Sequence, residues 1–165
     1  MNPVSILSGE DHAPKCVAPV NCGVSCIKKN SMNPKEIVLS FWGAMRSNDF
    51  YKASEWLTEK FECYWPQSSE LIVGPKNFAE INSHYPTNGV WQFHLNTIVA
   101  EGNQVVTDVS VTDGTQQARA ITFHTVENGL ICKQIEFWPD NYEAPEWRAK
   151  WVKNVCKIKN NDENS

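Results

Sequence analysis

Residues 123–152 read FHTVENGLICKQIEFWPDNYEAPEWRAKWV, and their punctuation decides the fold. Two runs alternate apolar and polar residues, the two-residue period of a half-buried strand. They meet at Asn128 and Gly129, a pair that tolerates the positive φ of a tight hairpin, so the strands pair antiparallel. Pro139 ends the second run. Pro145 then opens a helical pattern in which Trp147, Trp151 and Val155 recur at four-residue spacing. That spacing predicts a last helix whose tryptophans share one face, turned toward the sheet.

Upstream, "EGN" and "DG" separate two further alternating runs. The resulting meander covers residues 90–100, 104–112, 116–127 and 130–138. Strands of that length exceed the usual five or six residues, so the sheet should curl. The first ordered element is a helix. Asn33 caps it, Pro34 fits its first position and Glu36 completes a capping box, while Val38, Phe41, Trp42 and Met45 fall on one face. A second short helix is expected from Phe50 to Leu57. "KFECYWPQ" reads as a strand stopped by Pro66, "ELIVG" as its return, and "KNFAEINSHY" as a third helix closed by Pro86. The whole is an α+β domain, with helices gathered on one side of a curled antiparallel sheet and an open end that leaves a cavity.

At 165 residues, 41% hydrophobic with seven tryptophans, the chain suffices for one domain with a real core. Residues 1–31 lack any period and read as a flexible leader, 32–157 as the domain and 158–165 as a disordered tail. A net charge of −4 leaves no basic stripe for nucleic acid. No apolar run approaches the ~20 residues that span a bilayer, and the amino terminus lacks the apolar core of a secretory signal. A cytoplasmic location is expected. Cys16, Cys22 and Cys26 follow a C-x5-C-x3-C spacing near His12, looser than the C-x2-C pairs of structural zinc and without a second half. No metal and no cofactor is expected.

Three segments carry a family resemblance: FECYWPQSSELIVGPKNFAEINSHYP (61–86), FHTVENGLICKQIEFWPDNY (123–142) and, most specifically, APEWRAKWV (144–152). From Asn33 to Val152 the chain resembles the SnoaL-like branch of the nuclear-transport-factor-2-like superfamily. The resemblance implies a cone-shaped sheet with helices on its concave side, a deep and mostly apolar pocket, and homodimers packed through the sheet. Members include polyketide cyclases, ketosteroid isomerase, limonene-epoxide-hydrolase-like enzymes and non-catalytic binding modules, so fold alone does not give function.

Alternation puts Gln134, Glu136 and Trp138 on one face of the last strand, and the resemblance turns that face inward. Glu136 resembles the pocket carboxylate of the epoxide-hydrolase-like relatives. Asp140 lies near the catalytic aspartate of the cyclases, although Pro139 intervenes. A carboxyl in an apolar, tryptophan-walled cavity is costly to ionise and suits proton transfer. The Arg–Asp pair of the epoxide-hydrolase-like members is missing, because Val109 and Val111 stand at those positions. Tyr64 is the nearest oxyanion-donor candidate. His94, on the strand face opposite Trp91 and Phe93, and His124, opposite Phe123, are candidate proton carriers near neutral pH. Trp65, Gln67, Trp91 and Trp138 complete the lining candidates, with core filling as the alternative for each tryptophan. Two functions stay open: acid–base chemistry such as cyclisation, isomerisation or hydration on a small, largely apolar molecule, or non-catalytic binding or dimeric assembly.

Overall fold

The structure is a computed structural model that describes residues 31–155. Residues 1–30 of the expected leader, with its three cysteines, and the expected tail 158–165 lie outside the described residues.

Helix α1 (Pro34–Met45) begins as its sequence dictates. Asn33 Oδ1 accepts from the Glu36 N–H at 3.0 Å, and Glu36 Oε2 accepts from the Asn33 N–H at 2.8 Å, a closed capping box. Its buried face carries Ile37, Val38, Phe41, Trp42, Ala44 and Met45. Helix α2 (Phe50–Ser54) is capped by Asp49 and ends three residues before Leu57. Leu57 instead opens strand β1 (Leu57–Trp65) and pairs with Ile131, so sheet pairing overrides the helical spacing there. Strand β2 (Glu70–Val73) returns beside β1. Gly74, at φ 83°, then turns the chain into helix α3 (Pro75–His84), whose first residue is a proline.

The meander follows as β3 (Gln92–Glu101), β4 (Gln104–Thr112), β5 (Gln117–Glu127) and β6 (Leu130–Phe137). At the deciding hairpin Asn128 and Gly129 both take positive φ, 51° and 77°, the geometry of a type I′ turn. The six strands form one curled, unclosed sheet in the order β2-β1-β6-β5-β4-β3. One pair departs from the antiparallel expectation, for β1 and β6 run parallel. The whole meander separates them, so no hairpin fixes their sense, and strand pattern alone cannot reveal such a neighbour.

The helices pack on the concave face. There Val105, Val109 and Val111 of β4 and Ala120 of β5 are buried together with Ile37, Phe41 and Phe61. The strands put polar groups on this face as well: Thr107, Thr122, His124 and Gln134 are each at most 1% exposed. Trp42 Nε1 donates to Thr107 Oγ1 at 3.3 Å, which joins α1 to the sheet by a buried hydrogen bond.

The carboxy-terminal element differs from the expected helix. It is a six-residue 3₁₀ helix (Glu146–Trp151), and Trp147 and Trp151 are 73% and 68% exposed rather than turned to the sheet. Four-residue spacing shares a face at 3.6 residues per turn but not at three, and α1 to α3 already occupy the concave side. Among the described residues no helix is long and apolar enough to cross a membrane.

Candidate functional site

The inward parity of β6 brings Gln134, Glu136 and Trp138 to the concave face. Glu136 is crowded by donors. Its Oε1 accepts from Trp65 Nε1 at 3.1 Å and from Trp138 Nε1 at 3.0 Å, and its Oε2 accepts from Thr122 Oγ1 at 2.9 Å. Burial pushes its carboxyl above the ordinary value, while the three hydrogen bonds pull the other way. Two indoles reach one oxygen because Trp65 and Trp138 sit on neighbouring strand ends, β1 and β6 being adjacent.

The same two indoles form part of the wall of a cavity of about 120 Å³. Trp91, Phe50, Phe93 and Tyr85 are the other aromatic residues on its wall. Asn82, Gln116 and Gln117 also belong to its lining, and no Asp, Glu, Lys, Arg or His does. Glu136 therefore stands behind the aromatic wall, tied to it through the indole N–H groups. Tyr85 and Trp91 meet edge to face with ring centroids 5.9 Å apart, which braces the end of α3 against the start of β3.

Of the candidates read from sequence, Trp65, Trp91 and Trp138 line the cavity. Gln67 does not. Its side-chain amide continues the β1–β6 pairing beyond the strand: Nε2 donates to the Trp138 carbonyl at 2.8 Å and Oε1 accepts from the Trp138 N–H. It fixes the tryptophan rather than facing the cavity. Tyr64 is corrected to the outer face, since it alternates with the inward Cys63 and Trp65 and is 37% exposed. His94 is likewise outward, between the half-buried Phe93 and Leu95. His124 faces inward but is sealed in the core. Its Nε2 lies 3.0 Å from Thr107 Oγ1 and its Nδ1 3.0 Å from Gln134 Nε2. Burial drives its pKa down to about 3, so it is a neutral core residue rather than a proton carrier at the cavity. Asp140 is exposed in the segment after β6 and does not line the cavity.

Sequence reading missed Tyr85, Phe50 and Phe93 as wall residues, because their helical and strand periods mark them equally well as core. It also missed Asp113. The "TDG" signal gave a turn, yet the Asp113 carboxylate is a hub between that turn and the α3–β3 loop. It accepts from the backbone N–H groups of Asn88, Thr115 and Gln116 at 2.7–2.9 Å and from Gln116 Nε2 at 2.9 Å. These donors hold its pKa far below the usual carboxylate range. Gln116 is thereby fixed at the cavity.

The fold and this aromatic cavity define an NTF2-like α+β cone. The profile of the SnoaL-like domain matches residues 38–134, more than half of the chain, and the chain belongs to that family. Among solved structures, a protein of Kribbella flavida described as a candidate ketosteroid isomerase is 26% identical, with 76% of this chain and 91% of that one covered and a TM-score of 0.69. An NTF2-like protein of unknown function from Burkholderia xenovorans is 27% identical over 79% of this chain and 98% of that one, with a TM-score of 0.63. A candidate SnoaL-like polyketide cyclase from Shewanella putrefaciens shares the fold at 10% identity, with 64% of this chain and 88% of that one covered and a TM-score of 0.54. No curated protein sequence matches significantly.

Proposed function

We propose that this domain binds a small, largely apolar molecule in the cavity walled by Trp65, Trp91 and Trp138. The observation that carries this reading is the wall itself: six aromatic side chains around about 120 Å³. An apolar cavity of ~150 Å³ admits benzene, so a group of single-ring size fits within this wall, which opens to solvent on one side. The missing Arg–Asp pair also supports binding, since Val109 and Val111 are 0% and 4% exposed and put no polar group there.

Acid–base catalysis is the second reading, and Glu136 favours it. It is the carboxylate tied to the wall, and burial raises its pKa toward a working range. Glutamine is nearly isosteric and can still accept from both indoles. On the binding reading, tryptophan fluorescence and ligand-observed NMR with neutral single-ring compounds detect a complex in the wild type and in Glu136→Gln, and lose it in Trp138→Ala. On the catalytic reading a turnover exists that Glu136→Gln abolishes while binding persists. Failure of the wild type to bind any such compound would falsify both. A homodimer packed through the outer sheet face is part of the proposal, supported by Val99, Phe123, Leu71 and Val73 standing exposed on the sheet.

A further inference from the structure

We infer that the occupant of this cavity is a methylated ammonium ion, its alkylated head enclosed by the aromatic wall and countered by the carboxylate of Glu136 behind that wall. The inference rests on the cavity being the binding site proposed above and narrows its ligand to one chemical class.

Charge comes first. No cationic side chain lines the cavity, and two acids are tied to its wall, Glu136 through the indoles and Asp113 through Gln116. Aromatic faces attract cations through their quadrupole, most strongly for tryptophan, and alkylated ammonium ions are the ligands that aromatic enclosures take best. Here the indoles are also tuned. Trp65 and Trp138 each donate their N–H to the same oxygen of Glu136. An indole that donates to an anion becomes richer in electrons, so a carboxylate that never touches the ligand still strengthens the wall it faces. Burial favours the neutral acid, while the indole and hydroxyl donors, and a cation in the cavity, favour the anion.

The amides point the same way. Asn82 Nδ2 donates to the Phe78 carbonyl at 2.9 Å, and Gln116 Nε2 donates to the Asp113 carboxylate at 2.9 Å. Both partners can only accept, which fixes the orientation of each amide. Gln116 spends both Nε2 hydrogens, on Asp113 and on the Pro86 carbonyl, and retains only its side-chain oxygen, the negative end of a dipole, whereas Asn82 retains an N–H as well. An anion would meet Glu136 and the Gln116 oxygen unfavourably. A hydrocarbon would fit the rings and leave that oxygen unanswered. The volume suits a trimethylammonium head, being slightly below the ~150 Å³ that takes benzene.

Choline and 3,3-dimethyl-1-butanol share a shape and differ in charge, so the pair isolates the inference. Isothermal titration of the full chain with each is expected to show choline bound about tenfold tighter or more. In Glu136→Gln choline is expected to weaken by about tenfold while the uncharged isostere shifts far less. Equal affinities, or tighter binding of the alcohol, overturn the ammonium assignment and leave the apolar cavity standing. Binding of neither probe also overturns it, and the panel of neutral single-ring compounds then decides the broader reading. The wild-type comparison needs no variant, so a Glu136→Gln chain that does not fold leaves the test intact.

Discussion

Glu136 and His124 are neighbours in the sheet interior with opposite demands on pH. The unfolded chain protonates His124 near pH 6.5, but the buried imidazole resists to about pH 3. Stability from this group is therefore complete above pH 6.5 and declines as pH falls, by about 1.4 kcal/mol per pH unit until about pH 3. Glu136 has the other sign. Its folded pKa lies above the ordinary 4.5, so the stability linked to its proton is present below 4.5 and is lost as pH rises through the folded value. Urea unfolding of wild type and His124→Asn across pH 3.5–7 checks the first claim, the variant being expected to lose the histidine slope. Thr122→Val removes one of three donors to Glu136 while keeping the shape. Its expected effect is a further rise of the Glu136 pKa, read by carboxyl carbon NMR, and a loss of about 1–3 kcal/mol from the hydrogen bond.

Helix α1 packs its buried face on the sheet, and the Asp113 turn ties Gln116 of the cavity wall to the α3–β3 loop. Phe41, at 1% exposure, meets Trp42, Phe78 and His124 with ring centroids 5.4–6.0 Å apart. Truncating it leaves a void that surrounding strands cannot fill, so Phe41→Ala is expected to cost about 3–5 kcal/mol in chemical denaturation. The Asp113 turn acts differently, because it joins two loops rather than filling space. Asp113→Ala leaves the amides of Asn88, Thr115 and Gln116 without their acceptor. Amide exchange at these positions is expected to rise by about tenfold or more, with little change in β6, as a local opening would give. Gly89 reports on the same junction, since a Cβ there would stand 2.8 Å from the Asp113 carbonyl oxygen. Gly89→Ala is thus expected to loosen the same loop pair.

At the scale of the molecule the sheet has two unlike faces. The concave face is filled by helices, while on the convex face Phe123 and Phe137 pair edge to face at 6.2 Å with Phe123 45% exposed. A homodimer through that face is expected to dissociate in Phe123→Asp, with sedimentation velocity showing the monomer and circular dichroism an unchanged fold. A wild type that sediments as a monomer at high concentration would remove this part of the proposal.

The sequence by itself determined the elements that local chemistry controls: the capping box at Asn33, the Asn128–Gly129 hairpin, the alternation that sends Glu136 and Trp138 to the same face, and the family. Backbone sterics and strand period act over a few residues, so they are written in a few residues. Tertiary structure alone decided the rest. That β1 lies parallel to β6, that Trp65 and Trp138 share one oxygen of Glu136, and that His124 is sealed against Thr107 while Gln67 completes a strand all depend on residues 17–74 positions apart meeting in the curled sheet. Nor does a tryptophan reveal from its neighbours whether it fills a core, as Trp42 does, or walls a cavity, as Trp65 does. That distinction is set by how much space the opposing elements leave, and only close packing in three dimensions sets it.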